Sequence, residues 1–259
     1  MKVNIIEIAG LAPAIKALYI SKRTLNEQIA NEIDNTIWSV TDNKEFLKEF
    51  AHVDHPEEFG RFNDYMEKIV KWGIRYDHAS LLDFIQIYTH IEGLHRGAGD
   101  DFDAHAGRMS AIIRSSTRLA THGDHEMSDW YKGKILYPSE FVDTEFEESV
   151  SFPDGKYVKT NFGFVREDLL GDKDVERGLV PLAAPQNNIN CISYREWRYI
   201  YYRRGQHTSA APELKNAMEM FKEELTKKMP VLGEYLDKVW SEPQKKFIPI
   251  GEAVYTTLE

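Results

Sequence analysis

Apolar and polar positions alternate from the start of the chain. Val3, Ile5 and Glu7 fall on one side of an extended segment, with Asn4, Ile6 and Ile8 on the other. Residues 2 to 8 therefore predict a strand, closed by Gly10. Residues 11 to 33 carry a helical pattern in two pieces. Between 42 and 72, Phe46, Phe50, Phe59, Phe62, Tyr65, Met66, Ile69 and Val70 recur at spacings of three and four, which predicts helices around a turn near Pro56. The run L-L-D-F-I-Q-I-Y-T-H-I, 81 to 91, predicts a strand, ended by a turn at G-A-G-D-D, 97 to 101. Further on, P-D-G at 153 to 155 predicts a turn, Tyr157 to Val165 a strand and 186 to 194 another. A helix is expected from about Arg195, and a longer one from Pro212 to about Met229. No repeat or linker interrupts the chain, so one α+β domain over residues 1 to 259 is the economical reading.

The stretch 104 to 122 stands apart. Placed on a helix, Arg108, Arg114, Arg118, Ala111 and Ser115 share one side, and Met109, Ile112, Ile113, Leu119 and Ala120 the other. It holds no Asp or Glu, although the whole chain has a formal net charge of -10. Solvated faces usually interleave both signs, so this one predicts an anion site in which guanidiniums and nearby Ser and Thr hydroxyls hold a phosphate.

Composition narrows the partners. A 259-residue chain with 42% hydrophobic residues can build a substantial core. Its pI near 5.5 argues against a nucleic-acid partner, which needs a basic surface. A single cysteine, Cys191, excludes an internal disulfide and a cysteine-based zinc site, and fits a reducing, cytoplasmic setting. Cys191 is read as a small buried hydrophobe. No run is long and apolar enough for a membrane span, and Glu7 breaks the apolar stretch that a signal peptide would need. H-V-D-H at 52 to 55 and H-G-D-H at 122 to 125 lack a third ligand, so no metal site is expected. The irregular acidic run around Glu140 to Glu148 is read as solvated surface. A second arginine group, Y-R-E-W-R-Y-I-Y-Y-R-R-G at 194 to 205, joins Arg195, Arg198, Arg203 and Arg204 to aromatic rings. It is either an amphipathic helix with snorkelling arginines or a site for a planar, phosphorylated ligand.

Both arginine groups resemble the core of the flavin-dependent thymidylate synthases. That family's signature is Arg-His-Arg, seven residues, then Ser and often x-Arg-Tyr. D-H-A-S at 77 to 80, then A-G-R at 106 to 108, the seven residues Met109 to Ser115, Ser116 and Arg118 keep that spacing. R-G-L-V-P-L at 177 to 182, Arg195 opening a helix, Arg204 nine residues on, and S-A-A-P-E-L at 209 to 214 are similar to the later family pattern. The resemblance covers roughly residues 66 to 230. It implies an α+β fold with a curved, mostly antiparallel sheet flanked by helices, assembled as a homotetramer, with the arginine-rich stretch broken near Ser110. It also implies C5 methylation of dUMP to dTMP, with FAD as cofactor and methylene-tetrahydrofolate and NADPH as co-substrates. Arg108, Arg195, Ser193 and Asp77 would then meet the flavin. Asp103, Arg114, Ser116, Arg118, Arg177 and Arg204 would meet the nucleotide, with Ser116, Arg118 and Arg204 nearest the chemistry.

The chain also departs from the pattern. Ala106 and Gly107 stand where the triplet has Arg and His, Asp103 where a Gln is expected, Arg114 where an acid is expected, Ser193 where an Asn usually lies, and Leu119 where the Tyr follows. Asp103 can accept from a base edge, or pair with Arg114 as a substitute salt bridge. Two alternatives stay open beside thymidylate synthesis. One is a diverged enzyme acting on another pyrimidine nucleotide or leaving another C5 group such as hydroxymethyl. The other is a nucleotide-binding or assembly protein without catalysis.

Overall fold

The computed structural model describes residues 1–41, 56–76, 78–115, 149–152, 155–160, 163–170 and 185–255. Packing divides the chain into two compact units. One comprises Met1–Lys2, Ile91–Ala104 and Ile113–Ile189, the other Val3–His90, His105–Ile112 and Asn190–Glu259.

Strand β1 (Lys2–Ala9) is as the alternation predicts, with Val3 and Ile5 buried and Asn4 and Ile6 outward. It ends at Gly10, whose φ is 78° and where a Cβ would lie 1.8 Å from the Phe84 carbonyl oxygen. Only glycine fits both conditions. Helices α1 (Leu11–Ser21) and α2 (Glu27–Thr41) are the two predicted pieces, joined across their surfaces by a Lys16–Asp34 ion pair at 2.6 Å. Asn26 starts α2 by accepting the Ile29 amide at 2.9 Å, a side-chain cap. Helix α3 (Pro56–Arg75) begins at Pro56, and its buried Phe62, Tyr65, Met66, Ile69 and Val70 form one stripe. Residues 42 to 55, with Phe46 and Phe50, lie outside the described residues.

The next prediction needs correction. Leu81 and Leu82 belong to a short helix, α4 (Ala79–Asp83), and strand β2 (Gln86–His95) starts later and runs further than the predicted 81 to 91. A short apolar run cannot be told from a buried helical turn by its pattern alone. G-A-G-D-D is likewise no turn but most of helix α5 (Arg96–Asp103), capped by His95, whose Nε2 accepts the Ala98 amide at 2.9 Å. Small residues serve close approach here, since a Cβ on Gly99 would meet the Gln186 side chain at 1.3 Å.

The predicted helix over 104 to 122 is overturned for its described part. Ala106–Arg108 form a single 3₁₀ turn and Ala111–Arg114 form strand β3. The break near Ser110 agrees with what the resemblance implied. Backbone pairing explains it: Ser110 donates its amide to the Cys191 carbonyl at 2.8 Å, and Ser115 donates to the Asn187 carbonyl at 2.8 Å. Within β3 the period is two. Ala111 and Ile113 point to solvent, while Ile112 and Arg114 are half-buried, so Ile113 is 77% exposed rather than on an apolar face.

Strands β4 (Ser149–Phe152), β5 (Gly155–Thr160) and β6 (Gly163–Arg166) form an antiparallel three-stranded sheet, so the single strand predicted from Tyr157 to Val165 is in fact two, paired Thr160 to Gly163. Strand β7 (Pro185–Ser193) and helix α6 (Tyr194–Ile200) stand close to where the pattern predicts them. A π-helical turn, Tyr201–Gln206, continues α6. Helix α7 (Pro212–Lys228) is also as predicted. It is followed by α8 (Pro230–Tyr235), the antiparallel pair β8 (Lys238–Ser241) and β9 (Lys246–Pro249), and α9 (Ile250–Tyr255). The largest sheet has the order β1-β2-β7-β3. With the helices, this is the expected α+β class. In the second unit, Tyr194, Trp197, Ile200 and Tyr201 are buried with Phe221, Leu225 and Leu232.

Candidate functional site

Strand β7 delivers the chain to a cluster built around α6, all within the second unit. Ser193 caps that helix, its Oγ accepting the Glu196 amide at 3.3 Å while donating to Asp83 Oδ1 at 3.1 Å. The other oxygen of Asp83 takes the Arg195 guanidinium at 3.0 Å. One carboxylate thus orients two of the four residues that the resemblance assigns to flavin, Ser193 and Arg195. Both side chains of that ion pair are substantially solvent-facing, 50% for Arg195 and 40% for Asp83, so the pair serves direction more than stability.

The exposed side of α6 carries the centre of the cluster. Tyr199 has the Arg108 guanidinium 4.1 Å from its ring centre and the Arg203 guanidinium at 5.6 Å. Arg108 donates to Glu196 Oε2 at 3.0 Å, and this bond lifts the guanidinium pKa above its already high value. His105 packs edge-on against Tyr199, with centroids 5.8 Å apart and planes at 73°. Arg204 Nε donates to His105 Nε2 at 3.0 Å. Three guanidiniums, two aromatic rings and one carboxylate therefore meet on one face, a net cationic platform with ring surface for a planar group.

The π-helical turn is part of this. Its wider backbone ring follows directly on the regular turns of α6, and it carries Arg203 and Arg204; such turns are frequent at functional sites. Arg198 does not join them. It is half-buried and donates to the carbonyls of Tyr235 and Lys238, and loss of water around the guanidinium lowers its pKa. The arginine-rich stretch 194 to 205 therefore divides: Arg198 ties the segment at Tyr235 and Lys238 to α6, Arg195 and Arg203 face solvent, and Arg204 is half-buried against His105.

A second cluster lies in the first unit. Arg114 pairs with Asp100 at 2.9 Å and Asp103 at 2.8 Å, and donates to Gln186 Oε1 at 3.3 Å. The Asp103–Arg114 salt bridge is one of the two readings that the sequence left open. Burial raises the Asp103 carboxyl pKa, Arg114 opposes the rise and Asp100 adds to it. Asp103 Oδ1 and Gln186 Nε2 are both buried and have no hydrogen-bond partner among the described residues. A ligand or a water would satisfy them.

His95 lies beside this cluster. Burial lowers its pKa, against smaller raising effects of Asp101 and Asp100. Below about pH 6.5 the unfolded imidazole takes up a proton that the folded one resists, so stability is full above that pH and falls as the pH drops through it. Protonation also destroys the Nε2 acceptor that caps α5. His95→Asn, which caps without titrating, is expected to flatten this acid limb in thermal unfolding between about pH 7 and 5. An unchanged slope would remove His95 as its source.

Cys191 is 5% exposed, with Sγ 3.5 Å from Gln86 Oε1. Cys191→Ala is expected to cost about 1 kcal/mol in urea unfolding and to leave ligand binding intact. Loss of binding or turnover in the folded variant would make the thiol chemical rather than structural.

Of the residues singled out in the sequence, Arg108, Arg195, Ser193 and Arg204 are gathered around α6, while Asp103 and Arg114 pair in the other unit. Asp77, Ser116, Arg118 and Arg177 lie outside the described residues, as do His52, His55, His122, His125 and the acidic run around Glu140 to Glu148. Asp83, Asp100, His105, Gln186, Glu196 and Tyr199 were missed. Glu196 had a local signal, since Ser193-x-x-Glu196 is a helix-start pattern. His105 had none. Among the described residues no group of three or more His, Cys, Asp or Glu is arranged for a metal ion, and no helix is long and apolar enough to cross a membrane.

No family model matches the sequence, and no curated protein matches it. Its fold is similar to the crystal structure of the flavin-dependent thymidylate synthase ThyX from Helicobacter pylori complexed with FAD and dUMP. The identity is 16% and the TM-score 0.51, over 90% of this chain and 98% of that one. A second structure of ThyX from Helicobacter pylori with FAD and dUMP gives 14% identity and a TM-score of 0.49, over 91% and 99%. By the first of these likenesses, the chain has an α+β fold similar to that of a flavin-dependent thymidylate synthase.

Proposed function

We propose that the chain is a flavin-dependent enzyme of pyrimidine nucleotide metabolism that adds a one-carbon group to C5 of dUMP, the product being dTMP. The observation that carries this reading is the cationic cluster on α6, where Arg108 lies over Tyr199 and Arg204, 96 positions away in sequence, bonds to His105, the two rings being in contact. Arg108 belongs to the group given to flavin by resemblance, and Arg204 to the group given to nucleotide. The fold is of the matching kind.

The residues fit FAD in charge and in space. Its diphosphate needs cationic donors, which Arg108 and Arg195 supply from exposed positions. At Gly107 a Cβ would meet nothing within 4 Å, so the turn beside Arg108 is open. Ser193 contributes indirectly, because its hydroxyl is already shared between Asp83 and the helix start. Arg108, Arg195, Ser193 and Asp77 are the flavin-holding group on this reading. Held by these residues, reduced flavin would supply hydride chemistry for completing the C5 group. Arg204, with Ser116, Arg118 and Arg177, holds the nucleotide and fixes its orientation, while Asp103 and Arg114 belong to the same substrate-binding group. Methylene-tetrahydrofolate and NADPH are the co-substrates, and the working assembly is a homotetramer in the cytoplasm.

The test is direct. The purified protein is titrated with FAD and dUMP, then supplied with methylene-tetrahydrofolate and NADPH, and the nucleotide products are separated. Formation of dTMP is the expected result. A C5-hydroxymethyl product instead would identify the diverged enzyme. Nucleotide binding with no FAD binding at high micromolar concentration would leave only the non-catalytic reading.

A further inference from the structure

We propose that His105 is the positioning residue that aims Arg204 at its anion, an inference that rests on the nucleotide-binding reading of Arg204. His105 is 8% exposed, so its ring has little freedom to move. It meets Tyr199 in an edge-to-face arrangement, with centroids 5.8 Å apart and planes at 73°. The same short turn that carries Arg108 begins here, the Arg108 amide donating to the His105 carbonyl at 2.8 Å. One turn therefore places both the guanidinium over Tyr199 and the imidazole beside it.

Arg204 gains a fixed direction from this arrangement. An arginine on a helix surface samples many rotamers, and a phosphate held by a guanidinium needs that plane fixed in advance. The bond from Arg204 Nε to His105 Nε2, 3.0 Å, ties one edge of the planar group to a buried ring and so sets where its other edge points. The π-helical turn carries Arg204 at the same place. The acceptor must be a neutral imidazole, with its proton on Nδ1. Among the described residues, Arg204 is bonded to it, and Arg108 and Arg203 lie over the neighbouring Tyr199 ring, with Glu196 attached to Arg108.

Two substitutions separate positioning from packing. His105→Phe keeps an aromatic edge against Tyr199 and removes the acceptor; His105→Gln gives up the ring and restores an acceptor. In wild-type protein the Arg204 Nε–H, assigned in ¹⁵N-arginine spectra by its loss in Arg204→Lys, is expected to exchange slowly with water. It becomes fast in His105→Phe and slow again in His105→Gln. Calorimetry with dUMP is expected to show about a two- to tenfold loss of affinity in His105→Phe, recovered by His105→Gln, with deoxyuridine unaffected. Slow Nε–H exchange retained in His105→Phe overturns the inference whatever nucleotide binds. So does equal weakening by Phe and Gln, which marks packing. Failure of wild-type protein to bind dUMP would count against the nucleotide reading, and the exchange contrast would still decide whether His105 holds Arg204.

Discussion

Arg204→Ala is expected to weaken dUMP binding by about 1.5–3 kcal/mol, roughly ten- to a hundredfold, the range for a hydrogen bond to a charged group. The arginine stands in a turn of unusual geometry, tied by its Nε to a buried histidine, and its neighbours Arg108 and Arg203 share one tyrosine ring. A solvated arginine needs none of this. The phosphate is the expected target, so deoxyuridine affinity should change much less. Calorimetry on folded wild type and variant separates the two cases. Equal dUMP affinity in both, with the same unfolding midpoint, would reduce the cluster to a structural surface and take the functional reading with it.

Trp197→Ala should produce the largest loss of stability, about 3–5 kcal/mol, because it empties the centre of the core beneath the site. Trp197 is fully buried and stacks on Phe221 with ring centroids 3.8 Å apart and planes at 16°. The stacking adds about 0.5–1.5 kcal/mol to the burial that is lost. For a protein whose whole stability is on the order of 5–15 kcal/mol, that is a large share. Urea unfolding should show a lower midpoint at an unchanged slope. A loss below about 1 kcal/mol would mean that α6 is not anchored through this ring, and the placement of Arg195, Glu196 and Tyr199 on its opposite side would need another cause.

Period and punctuation determined the local structure wherever one face is simply buried. Val3 and Ile5 alternate into the core, the α3 stripe runs through Phe62, Met66 and Ile69, and Pro212 opens α7, because these choices rest on backbone period and dihedral preference alone. Composition likewise limited the chemistry, since one cysteine cannot build a disulfide or a cysteine-based zinc site.

The stretch 104 to 115 shows where that reasoning stops. Its apolar positions suit a helix and a strand almost equally, and the choice was made by β7, which offers the carbonyls of Cys191 and Asn187 to the amides of Ser110 and Ser115. Charge followed the same rule. The stretch contains no acid, yet Arg108 finds Glu196 across 88 positions, and Arg114 finds Asp100 and Asp103 from the preceding helix. An ion pair depends on distance in space, which the sequence encodes only through the whole fold. For the same reason His105 carries no sequence mark of its role. Its partner Arg204 lies 99 positions away, and only the turn at Ala106–Arg108 and the π-helical turn at Tyr201–Gln206 bring the two within hydrogen-bond reach.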